Sequence, residues 1–150
     1  MRFRFIWVGK TGNKNYLALQ EEYERRLAHF VKCERVEVRD ARDGETRDNE
    51  GNRILEKLNQ STFACLLDLG GKQMSSHDLA TQIEKWQNAG IKEISWIIGG
   101  ADGVSAAVAD RADFRLSLSI LTFTHEMARV VLLEQLYRAY TILRGYPYQK

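Results

Sequence analysis

Cysteine is scarce in this chain, with two residues among 150. Cys33 and Cys65 lie far apart and share no C-x-x-C spacing, so the sequence offers neither a zinc framework nor a disulfide scaffold, and both read as ordinary reduced thiols. Long apolar runs are missing too. None approaches the roughly 20 residues of a membrane span, and the charged start Met1-Arg2-Phe3-Arg4 leads only into a short apolar stretch. These absences point to a soluble, cytoplasmic protein with no metal and no membrane contact. An excess of either charge is also lacking: 22 basic against 20 acidic residues leave a net charge of +2. Such a balance does not announce a nucleic-acid binder, and an RNA partner would have to be held by shape and a local basic patch. Two nucleotide-binding signatures are absent as well, the G-x-G-x-x-G of dinucleotide sites and the G-x-x-x-x-G-K-S/T of phosphate loops.

What is present is a well-populated core pattern. Hydrophobic residues make up 44% of the chain, enough at 150 residues to bury the core of one domain. The rest is organised around Glu93-Ile94-Ser95-Trp96-Ile97-Ile98, which runs into Gly99-Gly100-Ala101-Asp102-Gly103. A short apolar run closed by glycines reads as a buried strand of a parallel sheet ending in a tight loop. Ser105 then reads as the N-cap of a small-residue helix over Ala106-Ala107-Val108-Ala109. Open α/β sheets bind ligands beyond the carboxyl ends of their strands, so this loop is either a ligand loop or a plain strand-to-helix turn.

In chain order, Phe3 to Val8 reads as a first strand stopped by Gly9. Tyr16, Leu19, Gln20, Tyr23, Leu27 and Phe30 recur at helical spacing, opposite a charged face with pairs such as Glu22 and Arg26. Cys33 to Arg39 alternates and reads as an edge strand with one polar face. Asp40 to Asn49 is charged and coreless and reads as a mobile loop. Its arginines, Arg42 and Arg47 with Arg39 beside them, read as solvated or as touching RNA. Ile54, Leu55 and Leu58 mark a short helix. Phe63 to Leu69 reads as a strand buried on both faces and closed by Gly70-Gly71, and Ser75 with Asp78 as a capping pair for a helix that Gly90 ends. Phe114 to Ile120 reads as a fifth strand. Thr122, Thr124, His125 and Glu126 then lead into a long helix to about Leu143, apolar over more than one stripe. Such a helix must bury two faces; packing one on the sheet and the other on a second copy predicts a homodimer. Five strand–helix units of about 30 residues give an α/β fold with a mainly parallel sheet and helices on both faces.

The ordered motifs Phe5-Ile6-Trp7-Val8-Gly9-Lys10, Glu22-Tyr23-x-x-Arg26-Leu27, Leu67-Asp68-x-x-Gly71-Lys72, Ile98-Gly99-Gly100-x-x-Gly103, Leu118-Ser119-x-x-Thr122-Phe123-x-His125, the run from Arg129 to Ala139 and Tyr146-Pro147-Tyr148 together resemble one family. It is the ribosomal large-subunit pseudouridine N3-methyltransferase family of the knotted SPOUT class, and the likeness covers essentially the whole chain. The resemblance implies a single SPOUT methyltransferase domain over residues 1–150 with no separate RNA-binding domain. It also implies a C-terminal deep trefoil knot, which ordinary topology rules would not supply, and a homodimer acting on 23S rRNA in the ribosome or its large subunit.

S-adenosylmethionine would be the cofactor, held by Leu67, Gly99 and the run Leu118, Ser119, Ile120, Leu121, Thr122 and Phe123. Read without the family, those leucines and Ile120 are plain core. His125 is the candidate base for the imide proton, and Arg129, one turn later, the candidate cation. Arg138 and Tyr148 are candidates for holding RNA. Two positions depart from the family pattern: Thr124 stands where a proline is common, and Gln149 where a histidine commonly follows Tyr148. Two rival readings remain at this stage, an α/β nucleotide binder with another cofactor and a non-catalytic ribosome-associated module.

Overall fold

A computed structural model of the chain describes residues 1–148; Gln149, and with it the second departure from the family pattern, lies outside the described residues. Ten elements alternate along the chain: β1 (Arg2–Val8), α1 (Lys14–Leu27), β2 (Lys32–Val38), α2 (Arg47–Lys57), β3 (Phe63–Gln73), α3 (Ser76–Asn88), β4 (Glu93–Ile98), α4 (Ala106–Arg111), β5 (Phe114–Ser117) and α5 (His125–Arg144). The five strands form one sheet in the order β2-β1-β4-β3-β5, and every neighbouring pair is parallel. The alternating strand β2 is an edge strand, as its half-polar pattern requires, while β1 and β4 are central and buried throughout except at their first residues.

Apolar side chains leave both faces of the sheet. On one face Phe3, Phe5, Trp7, Trp96 and Leu116 pack under α1, α3 and α5; on the other Ile6, Val8, Leu66 and Ile97 pack under α2 and α4. Helices therefore cover both faces. The helix starts follow from their caps. Ser75 accepts from the Asp78 amide at 3.0 Å while the Asp78 carboxylate accepts from the Ser75 amide, and Ser105 and Thr124 cap α4 and α5.

Four expectations need correction. The segment Asp40–Asn49 is not a mobile loop throughout. Helix α2 begins at Arg47, started by Thr46, whose hydroxyl accepts from the Asp48 amide while the Asn49 side chain accepts from the Thr46 amide at 2.8 Å. The stretch before it is tied down by Glu50, which accepts from the Ala41 amide at 2.7 Å, and by Arg53, which donates to the Arg39 and Asp40 carbonyls. Polar side chains that satisfy backbone groups leave no apolar periodicity to read.

Gly70-Gly71 do not close β3. Leu116 of β5 pairs with Leu67 and again with Lys72, so residues 68–71 make a detour and the strand returns to the same partner. Gly71 allows this: a Cβ there would lie 2.7 Å from the Arg115 carbonyl carbon.

Strand β5 ends at Ser117, three residues early. The Ser117 hydroxyl donates to the Ser119 carbonyl and the Ser119 hydroxyl accepts from the Leu121 amide, so serines capture the backbone groups a longer strand would pair.

Finally, α5 packs against both α1 and α3 as well as the sheet, so its second apolar face is covered within the chain. The pattern that pointed to a second copy has an intrachain explanation.

Candidate functional site

A cleft of about 430 Å³ opens where the middle of β3, at Leu66 to Leu69, meets the residues just past the carboxyl ends of β4 and β5. Leu67, Asp68 and Leu69 form one wall and Gly99, Gly100 and Gly103 another. Leu118, Ser119, Leu121, Thr122 and Phe123 form the third, His125 and Ala128 of α5 sit at its base, and Arg47 of α2 stands at its edge. Residues far apart in sequence meet here because parallel strands bring their carboxyl ends to one rim.

The glycine segment is a tight turn. The Gly103 amide donates to the Gly100 carbonyl at 3.1 Å, and Gly103 takes a φ of +79°, which an L side chain rarely adopts. A Cβ on Gly99 would sit 2.6 Å from the Val104 side chain. The turn therefore brings its bare peptides against the cleft, and α2 is pressed onto it: a Cβ on Gly51 would overlap the Ser105 side chain.

Seven of the eight residues expected to hold a cofactor line this cleft. Ile120 does not; its side chain is 77% exposed and turns outward from the serine-shaped bend. Leu121 beside it is 71% exposed while still lining the cleft. His125 is in the lining. Arg129, one turn along α5, is not: it is completely buried, donates to the Val8 carbonyl at 2.6 Å and to the Thr11 hydroxyl at 2.9 Å, and lies over the Trp7 ring. Burial pushes its pKa down, with Glu37 and Glu126 opposing. Helical spacing does put it on the face of His125, but one turn further along α5 that face meets the end of β1 and the loop after it instead of the cleft.

Arg138 and Tyr148 lie elsewhere. Arg138 pairs with Glu134 and stacks on the Tyr148 ring, and the Tyr148 hydroxyl donates to Glu134 at 2.9 Å beside Tyr23. Thirteen residues of helix separate Arg138 from His125, roughly 20 Å at the α-helical rise. Burial, then the Tyr23 and Glu134 hydrogen bonds, raise the Tyr148 pKa far above the usual phenol range.

Two charged lining residues lay outside the expected cofactor and catalytic set. Asp68 accepts from the Gly70 amide at 3.1 Å and faces Arg115 at 3.7 Å. Arg47 was read with Arg39 and Arg42 as solvated or as touching RNA; the capping pattern of Thr46 and Asn49 was the signal for the helix that carries it. Among the described residues no group of three His, Cys, Asp or Glu side chains is set to hold a metal ion, and no helix is long and apolar enough to cross a membrane.

A family model described as a predicted SPOUT methyltransferase matches residues 1–149. The chain is 46% identical to a ribosomal RNA large subunit methyltransferase H of Gloeobacter violaceus, over 99% of this chain and 98% of that protein. It is 43% identical to the protein of the same name from an Anaeromyxobacter species, over the full length of both. A protein of Methanoregula boonei named a putative methyltransferase H of the same kind is 42% identical, again over both full lengths.

Proposed function

The chain belongs to the SPOUT methyltransferase family, and we propose that it methylates N3 of a pseudouridine in the 23S rRNA of the large ribosomal subunit, using S-adenosylmethionine. The observation that carries this reading is the convergence of Leu67, Gly99 and Thr122 on one cleft in a chain alike from end to end to large-subunit rRNA methyltransferases.

The cleft suits the cofactor. Its volume of about 430 Å³ is that of a small-molecule site, with apolar walls from Leu67, Leu118, Leu121 and Phe123 for an adenine. The peptides of Gly99 and Gly100 and the turn after Ser117 offer donors and acceptors without a Cβ in the way. Asp68 is a carboxylate for hydroxyl or ammonium groups. Bound there, S-adenosylmethionine supplies an electrophilic methyl group on a sulfonium. The protein aligns the acceptor nitrogen with that methyl group, which supplies much of the rate of an in-line displacement.

N3 of pseudouridine carries a proton at neutral pH, and His125, in the cleft lining, is the group we assign to accept it. Arg129 acts at one remove. By tying Val8 and Thr11 to α5, it holds the helix start that carries His125.

The finer architecture belongs to the same proposal. A deep trefoil knot around the cleft is part of this reading through the match to the SPOUT methyltransferase family. In this reading residues 1–150 act as one methyltransferase domain, and a cytoplasmic ribosome or its large subunit is recognised by shape. A homodimer is supported by exposed Ile120 and Tyr146, apolar side chains outside the cleft that a second copy would cover. In such a dimer Arg138 and Tyr148, roughly 20 Å from their own cleft along α5, would lend surface to the other one.

The test is mass spectrometry of rRNA from cells with and without the protein, together with methyl transfer to assembled subunits and to naked rRNA fragments. One methyl group lost from a large-subunit pseudouridine, and transfer favouring assembled subunits, are expected. Binding of NAD or FMN in place of S-adenosylmethionine, or tight cofactor binding with no methyl incorporation, would overturn the reading.

A further inference from the structure

We infer that Arg47 is the substrate-facing cation of the cleft, the group that takes an anionic atom of the RNA. This rests on the methyltransferase reading above and names a residue outside the family-matched set. Among the described residues, Arg47 is the arginine that lines the cleft. Arg129 is sealed in the core, and Arg138 is committed to Glu134.

The side chain has no other evident task. Its neighbours are spent in ion pairs: Arg39 and Arg53 with Glu45, and Arg115 with Asp68. Among the described residues Arg47 makes no ion pair, and its guanidinium reaches only the Asp102 carbonyl, at 3.5 Å. It is also the first residue of α2, where the helix dipole disfavours a cation. An exposed, unpaired arginine at that position works slightly against stability, so a structural role does not explain it.

Its mounting is firm. Gly51 seats α2 directly on Ser105, Glu50 holds the Ala41 amide, and Arg53 holds the carbonyls of Arg39 and Asp40. A guanidinium held over the rim of a cleft, beside the glycine turn, is ready to meet an anion entering from solvent. The RNA offers two: a backbone phosphate beside the target, or the imide nitrogen once its proton has left. Both are met by the same donor fork.

The experiment compares the full chain with Arg47→Ala and Arg47→Lys. It reads S-adenosylmethionine affinity by calorimetry, thermal midpoint, cosedimentation with large ribosomal subunits, and steady-state methyl transfer across salt and pH. In Arg47→Ala, cofactor affinity should stay within about twofold and the midpoint should not fall, while kcat/KM drops about 30-fold or more, with partial recovery in Arg47→Lys. A rise in KM, weaker cosedimentation and a shallower salt dependence (by roughly one counterion) assign the phosphate. A fall in kcat with the pH profile moved to higher pH assigns the imide. Arg47→Ala with kcat/KM and cosedimentation within about threefold of the parent overturns the inference, as does a loss of cofactor affinity equal to the loss in turnover. A parent chain that cosediments with subunits but transfers no methyl group sinks the methyltransferase reading instead. The cosedimentation of Arg47→Ala then still decides whether the arginine meets RNA.

Discussion

Arg129 Nη2 donates to the carbonyl oxygen of Val8 at 2.6 Å, joining the first turn of α5 to the end of β1. A second contact from the same region strengthens the join: the Glu126 carboxylate accepts from the Gly12 amide at 2.5 Å. The loop between β1 and α1 is thus tied by hydrogen bonds to the start of α5, which carries His125 into the cleft lining. A buried cation without a carboxylate partner is costly unless its donors are used; here Nη1 and Nη2 are used on Thr11 and Val8, while Nε finds no partner among the described residues. Removing it takes away a donor to the Val8 carbonyl, while the Thr11 hydroxyl keeps its bond to Gln20. Arg129→Ala is expected to lose about 2–4 kcal/mol of unfolding free energy, and Arg129→Lys a large part of that, because an ammonium cannot span both acceptors. Urea denaturation measures both; a fully stable Arg129→Ala with lost turnover would return the residue to direct catalysis.

Gly70 and Gly71 are neighbours with different tasks. A Cβ at Gly71 would press on the Arg115–Leu116 backbone at 2.7 to 2.9 Å, whereas one at Gly70 would meet only the Asp68 carboxylate at 3.8 Å. Gly71→Ala should therefore cost about 1–3 kcal/mol and weaken cofactor binding, because it pushes β3 off β5 at the cleft wall. Gly70→Ala should stay near the parent in both. Equal effects would contradict the close return of β3 over β5.

Titration in alkali reads the buried thiols and a buried phenol. Burial, with Glu24 adding to it, pushes the Cys33 thiol up to about 12, and burial alone carries Cys65 higher. Burial also lifts Tyr140 to about 12, with Cys33 adding and Arg144 opposing. Each group stays protonated in the fold above the pH at which it ionises in the unfolded chain, near about 8.5 for a thiol and about 10 for a phenol. The stability they contribute is full below the unfolded value and is lost as pH rises toward the folded one. Denaturant midpoints should fall steadily from about pH 8.5 upward, and a profile flat to about pH 11 would contradict this. In native buffer both cysteines should resist alkylation that proceeds readily in denaturant.

Ile120 tests the second copy. Its side chain is free of the cleft lining, so Ile120→Asp should leave cofactor affinity near the parent while shifting the mass seen in light scattering from dimer toward monomer. If the dimer is the active form, turnover falls with it. A parent chain that is monomeric at high concentration removes the homodimer from the proposal.

The amino-acid sequence by itself determined the order and kind of the elements. Period-two and helical patterns, the Ser75, Ser105 and Thr124 caps and the terminal glycines are local signals, set by which side chains can share a face and which backbone groups lack a partner. It also marked Leu67, Gly99 and Thr122 as a group, although the folded chain puts Leu67 in mid-strand and Thr122 five residues past the end of β5. The tertiary structure alone decided how these segments meet, because the order β2-β1-β4-β3-β5 is a matter of long-range packing that no local pattern encodes. It decided which face of α5 carries Arg129 into the core and how a polar segment after Asp40 is held by Glu50 and Arg53. It also decided that β3 crosses back over β5 at Gly71. Those outcomes depend on contacts between groups from 9 residues apart, for Glu50 and Ala41, to 121, for Arg129 and Val8, and only the folded chain brings such groups within hydrogen-bonding reach.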